Sequence, residues 1–167
     1  MIYCSPDCEW IDPIKYKRRY LSSMVWIYSV RDGRLIDMEP VEKTESGWKE
    51  ALDPLTFDVA RRKGTEAPFS GRYHDCHREG VYACACCGAD LFLSEDKFDS
   101  GTGWPSFRRV VSEHNINIQV DRSGGMIRDE VLCTLCGAHL GHVFNDGPPP
   151  DGLRFCMNSA ALRLRTE

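Results

Sequence analysis

Two short repeats do more than any other feature to limit what this chain can fold into. Cys84-Ala85-Cys86-Cys87-Gly88-Ala89 and Cys133-Thr134-Leu135-Cys136-Gly137-Ala138 share one pattern. Two thiolates separated by two residues can grip a single ion from a tight turn, and the following glycine lets the backbone curl around them. Two such knuckles complete a four-sulfur tetrahedron at Cys84, Cys87, Cys133 and Cys136. Such a shell has no open position, so the expected Zn2+, one per chain, is structural. The alternatives are two disulfide or buried cysteine pairs, or a Cys133/Cys136/His139/His142 site. The last strands Cys84 and Cys87, and its histidines follow more closely than in a zinc finger. Cys86 lies between two ligands, but the Cys84/Cys87 spacing matches the second knuckle better.

The sequence between and around the knuckles points to strands. Gly, Pro, Asp and Ser punctuate short apolar runs such as Gly80 to Ala83, Leu91 to Leu93, Val110-Val111, Asn115 to Val120 and Ala160 to Leu164. That rhythm predicts an antiparallel β domain clipped by the metal. Upstream, Thr44 to Leu52 reads as a short helix carrying Trp48. A second helix follows, with Asp53 as N-cap, Pro54 at the first turn and Gly64 as its stop. Met24 to Val30, the Asp32-Gly33 turn and Leu35 to Met38 read as a hairpin. Residues 1–42 are therefore expected to be an N-terminal extension, and 43–167 the main domain.

A length of 167 residues suits one such domain. The net charge of −4 gives no general attraction to nucleic acid or anionic membrane. The basic run Lys15 to Arg19 reads as a solvated segment. No apolar stretch reaches membrane-spanning length, and the first residues lack the pattern of a signal peptide. A cytoplasmic, monomeric protein is expected. In a reducing setting, nine cysteines suggest metal binding and redox chemistry more than a disulfide scaffold.

Cys156 has no CxxC partner. In a strand over Leu153 to Ser159, Arg154, Cys156 and Asn158 would share a polar face, with Leu153, Phe155 and Met157 on the apolar one. Arg154 would favour the thiolate, and Asn158 could donate a hydrogen bond to it or to a bound oxygen. His139 and His142 lie just upstream and can point into the same space. A lone thiol near imidazoles is the raw material of nucleophilic chemistry, although a buried inert cysteine and a pair of loop histidines would look similar.

Four segments carry a resemblance: Gly64 to Gly71, Lys97 to Phe107, His139 to Phe144 and Leu153 to Ser159. In order, with both knuckles in place from about Lys43 to Leu164, they resemble the B-type methionine sulfoxide reductases. The resemblance implies two antiparallel sheets with short N-terminal helices, in a tent-like arrangement with zinc opposite the active site. It implies thiol-dependent reduction of methionine-R-sulfoxide in oxidised proteins and a role in repair under oxidative stress. It makes Cys156 the nucleophile that becomes a sulfenic acid. His139 and His142 would deliver protons, Arg154 and Asn158 would support the reacting centre, and Trp104 would pack against the substrate methyl group. Many family members carry a resolving cysteine where this chain has Thr102. Cys4, Cys8, Cys76 and Cys86 are then the candidates to resolve the sulfenic acid, and direct reduction by thioredoxin or a similar dithiol is the other route. A binding module without catalysis, or an oxidant sensor acting through Cys156, would use the same scaffold.

Overall fold

A computed structural model describes residues 24–166. Cys4, Cys8 and the basic run Lys15 to Arg19 lie outside the described residues.

The chain begins with the hairpin β1 (Val25–Ser29) and β2 (Arg34–Met38), turning through Gly33 in the left-handed region. The hairpin is fastened to the rest of the molecule by Asn115. Its Oδ1 accepts from Tyr28 N at 2.7 Å, and its Nδ2 donates to Tyr28 O at 2.8 Å. Ile27 is buried beneath it.

Two helices follow. Thr44 caps α1 (Glu45–Ala51) by accepting from Gly47 N, and Asp53 caps α2 (Pro54–Arg62) by accepting from Leu55 N and Thr56 N. These satisfy the orphan donors of each first turn. The left-handed residue that ends α2 is Lys63, with φ 58°, and not the expected Gly64. Lys63 is held there by its own side chain, whose Nζ reaches Glu130 Oε2 at 2.7 Å. Gly64 then passes so close to Asp58 that a Cβ would meet its carboxylate at 2.6 Å.

The rest is antiparallel β. A three-stranded sheet runs β11 (Leu162–Arg165), β3 (Val81–Cys84), β4 (Asp90–Leu93). A six-stranded sheet runs β5 (Lys97–Phe98), β6 (Ser106–Phe107), β10 (Arg154–Met157), β9 (His139–Phe144), β8 (Arg128–Cys133), β7 (Ile116–Asp121). Val110 and Val111 form no strand. Val111 makes one hydrogen bond to Leu91 O, and Val110 packs on the core from a loop. The short strands β5 and β6 carry that part of the sheet instead.

The sheets meet through aromatic side chains. Phe92 of the small sheet stacks on Phe107 of the large one, with centroids 4.3 Å apart. Tyr82 meets Phe107 edge-on at 5.0 Å, and Phe155 closes on Phe92 at 5.9 Å. Burying such rings yields roughly 1.5–3 kcal/mol each, and pair geometry adds a little more. Because strand side chains alternate, putting Phe155 in this core turns Cys156 to the opposite face of the sheet.

Candidate active site

The register of the large sheet builds a row of side chains. Directly opposed residues on antiparallel neighbours point to the same face. Ser106 opposes Cys156, Cys156 opposes His142, His142 opposes Glu130, and Glu130 opposes Gln119. Hydroxyl, thiol, imidazole and carboxylate thus follow one another across four strands. An irregularity between Val131 and Leu132 lets His139 join the same face. The His139 and His142 rings meet edge-on with centroids 5.4 Å apart. Gly141 between them is required by close approach, since a Cβ there would collide with the Cys156 carbonyl.

Each histidine has an acid behind it. His139 Nδ1 lies 2.7 Å from Glu130 Oε1, and both side chains are buried. Burial pushes the His139 imidazole below its ordinary value, more strongly than Glu130 pulls it up. Burial would raise the Glu130 carboxyl, but hydrogen bonds from Lys63 and His139 overcome that and hold it below the usual range. The neutral ring therefore donates Nδ1–H to the carboxylate, which leaves its buried Nε2 without a protein partner. His142 Nε2 lies 2.9 Å from Asp121 Oδ2, and Arg128 reaches the same oxygen at 2.8 Å.

Cys156 is partly buried. Burial raises its thiol pKa, while the Arg154 guanidinium and hydrogen bonding from Thr102 and Ser106 pull it down. Arg154 is fixed by a two-point grip on Asp146, at 2.8 and 2.9 Å, and its guanidinium lies 4.5 Å from the Phe144 ring centroid. That grip raises the Arg154 pKa and lowers that of Asp146.

Asn158 follows the end of β10. Its Oδ1 accepts from Glu66 N and its Nδ2 donates to Leu140 O, both at 3.1 Å, so the amide is committed to backbone groups. Trp104 is half-buried, with Nε1 donating to Glu66 O at 3.0 Å. Glu66 is the hub of this region. Its buried carboxylate accepts from Ser159 N at 2.5 Å and Ala160 N at 3.0 Å, just past Cys156. Sequence reasoning passed over Glu66, Glu130, Asp121 and Asp146. Glu66 falls in the Gly64 to Gly71 segment that carries the resemblance, beside the apolar run Ala67-Pro68-Phe69, whereas the other three depend on strand register.

Cys84, Cys87, Cys133 and Cys136 come together, with all four sulfurs within 4.8 Å of one another. The two knuckles are matching turns. In each, the first cysteine's N–H donates to the alanine carbonyl and its carbonyl accepts from the glycine N–H, at 2.8–2.9 Å. The Cys84–Cys136 and Cys87–Cys133 sulfurs lie 3.7 and 3.6 Å apart. A disulfide requires about 2.05 Å. A tetrahedral ion with metal–sulfur bonds of about 2.3 Å requires sulfurs about 3.8 Å apart, so the donor set fits a metal ion. Cys86 stands outside the four, and Cys76 lies in the loop before β3. Lys97, whose Nζ donates to His74 O in that loop at 3.0 Å, opposes Phe107 and so lies on the face away from Cys156.

A β scaffold with a four-cysteine cluster that could hold a metal ion, and one thiol set near an arginine, two hydroxyls and two imidazoles, suits thiol redox chemistry. Residues 52–166 match the SelR domain family. The chain is 57% identical over 126 residues to the peptide methionine sulfoxide reductase MsrB of Herminiimonas arsenicoxydans, covering 75% of this chain and 92% of that protein. It is 53% identical over 127 residues to the protein of the same name from Methanosarcina barkeri (76% and 89% covered), and 52% over 128 residues to that of Pseudomonas putida KT2440 (77% and 98%). The chain therefore belongs to the SelR-domain family of MsrB-type peptide methionine sulfoxide reductases.

Proposed function

We propose that the protein reduces methionine-R-sulfoxide in oxidised proteins to methionine, with Cys156 as nucleophile. The observation that carries this reading is the Ser106–Cys156–His142 row with Arg154 beside it. The resting thiol is mainly protonated, because burial outweighs the groups that favour the thiolate. The His139/His142 pair takes the thiol proton. The free Nε2 of His139 is suited to this, since Glu130 on the other nitrogen stabilises the imidazolium that results. The thiolate sulfur attacks the sulfoxide sulfur, and the imidazolium returns its proton to the sulfoxide oxygen. That oxygen transfers to Cys156, methionine leaves, and the cysteine is left as a sulfenic acid. Arg154 stabilises the negative charge on the attacking sulfur. The Trp104 indole offers a flat apolar wall for the S-methyl group, which selects one epimer by shape. Asn158 acts through the backbone it holds.

Two thiols of a thioredoxin-type dithiol then reduce the sulfenic acid, giving water, the free Cys156 thiol and an external disulfide. The four-sulfur site is assigned to a structural Zn2+, whose charge would hold its ligands as thiolates. A reducing compartment is proposed, where nine cysteines serve metal binding and redox chemistry better than a disulfide scaffold. Among the described residues no helix is long and apolar enough to cross a membrane. The reductase domain is taken as residues 43–167.

The test is single-turnover reduction of peptide methionine-R-sulfoxide and its S epimer by pre-reduced protein. One equivalent of methionine from the R epimer, and none from Cys156→Ser, is expected. No product from folded, metal-loaded protein would overturn the reading.

A further inference from the structure

We propose that the hydroxyls of Ser100, Thr102 and Ser106 form a cradle that donates hydrogen bonds to the Cys156 sulfur, first as thiolate and then as sulfenate. The inference rests on the nucleophile assigned above and adds three residues to its site.

The three hydroxyls form a continuous chain. Ser100 Oγ lies 2.8 Å from Thr102 Oγ1 and 2.8 Å from Ser106 Oγ. Ser106 opposes Cys156 across the β6–β10 pair, and the hydroxyls at both ends of the chain act to lower the thiol pKa. Ser106 is fully buried, so its hydroxyl must find its partners within the protein.

Proton counting gives the cradle two settings. Each hydroxyl has one proton to donate. With Cys156 as a thiol, Ser106 donates to Trp104 O, a long contact of 3.3 Å. With Cys156 as a thiolate, Ser106 and Thr102 can both turn their protons to sulfur, while Ser100 donates to one of them. The switch surrenders the long Trp104 bond and one of the two hydroxyl–hydroxyl bonds, both replaced by charge-assisted bonds to sulfur, and moves no heavy atom. A sulfenate oxygen on Cys156 would meet the same donors.

The other charged and titratable groups around the thiol are fixed elsewhere. Arg154 grips Asp146, His142 engages Asp121, and His139 engages Glu130. Asp99, in the cradle's own loop, accepts from Gly101 N at 2.8 Å, and Glu66 holds the Ser159 and Ala160 N–H groups. Only the hydroxyls can follow the charge of the sulfur by simple rotation.

The test is the pH dependence of Cys156 alkylation by iodoacetamide in the full chain as purified, read on the Cys156 peptide by mass. No sulfoxide is involved, so this result is independent of whether the protein turns over substrate. Thr102→Val, which keeps the shape and loses the hydroxyl, should shift the profile up by about one pH unit and slow alkylation at neutral pH about tenfold. Thr102→Ser should restore it. Ser100→Ala, which disorients the two donors, should slow it roughly threefold. Superimposable profiles for wild type and Thr102→Val, or no rescue by Thr102→Ser, would overturn the proposal. If Thr102→Val does not fold, an unchanged profile for Ser100→Ala overturns it instead.

Discussion

Cys156 and His142 occupy directly opposed positions on neighbouring antiparallel strands, so their side chains leave the sheet on the same face. The spacing is set by the ladder and not by a flexible loop. His142→Ala should therefore slow the chemical step of a single turnover by roughly 100-fold without unfolding the protein. The loss should be larger at high pH than at low pH, because solvent can supply the missing proton only in acid. Stopped-flow measurement across pH checks this, and a uniform loss would remove His142 from proton transfer.

Glu66 should matter more than its distance in sequence from Cys156 suggests. Its two carboxylate oxygens hold the N–H groups of Ser159 and Ala160. Glu66→Gln leaves one of those donors without an acceptor and replaces charge-assisted bonds with neutral ones. A loss of about 2 kcal/mol is expected from urea unfolding. Preference between the sulfoxide epimers should also weaken, because Trp104 is hydrogen-bonded to the carbonyl of the same residue.

The four-sulfur site should be inseparable from the fold. Cys133→Ser leaves three thiolates around the ion and should release metal and abolish cooperative unfolding. Metal content by mass spectrometry, together with near-UV circular dichroism, decides the matter. Full occupancy and a wild-type melting curve would contradict the assignment.

Acid should destabilise the protein in two stages. His139 is held below its ordinary value by burial, so as pH falls the unfolded chain binds its proton first. Stability then falls with decreasing pH, starting at about pH 7. Glu130 and Asp146 are also depressed, so their contribution is present above the ordinary carboxylate range and is lost as pH falls through their folded values. Urea midpoints against pH should show both limbs, and His139→Gln should lack the upper one.

Thr102→Cys should convert the recycling route. The introduced thiol would take the place of the Thr102 hydroxyl, which acts on Cys156 by lowering its thiol pKa. After one turnover with sulfoxide, this variant should hold a disulfide between the introduced thiol and Cys156, and wild type a dimedone-reactive sulfenic acid. Peptide mapping separates the two. A dimedone adduct in the variant equal to that of wild type would show that the sulfurs do not meet.

Local chemistry in this chain was legible where a few neighbouring residues decide it. The two CxxC-Gly-Ala turns, the Thr44 and Asp53 caps and the isolation of Cys156 all belong to that class. What could not be read was the order of strands. The row from Ser106 to Gln119 depends on β6 pairing with β10, far downstream in the chain, and on a register irregularity in β8. No periodicity records such pairings. Val110-Val111 misled because β-branched residues favour strands only where a partner strand is available. Alternation along Leu153 to Ser159 puts Asn158 on the strand face of Cys156, but β10 ends at Met157, and the amide turns back to the chain instead.

The knuckle at Cys84 closes the end of β3 in the small sheet, and that at Cys133 closes the end of β8 in the large one. One ion would thus rivet together two layers that otherwise meet through packed side chains and a few hydrogen bonds. Oxidation of those sulfurs would not merely remove a ligand but let the layers part. In such a molecule the working sulfur can be consumed and renewed, while the joining sulfurs must never react. Burial shields Cys84, Cys133 and Cys136, whereas Cys87 is partly open like Cys156, so its protection would fall to the ion it holds.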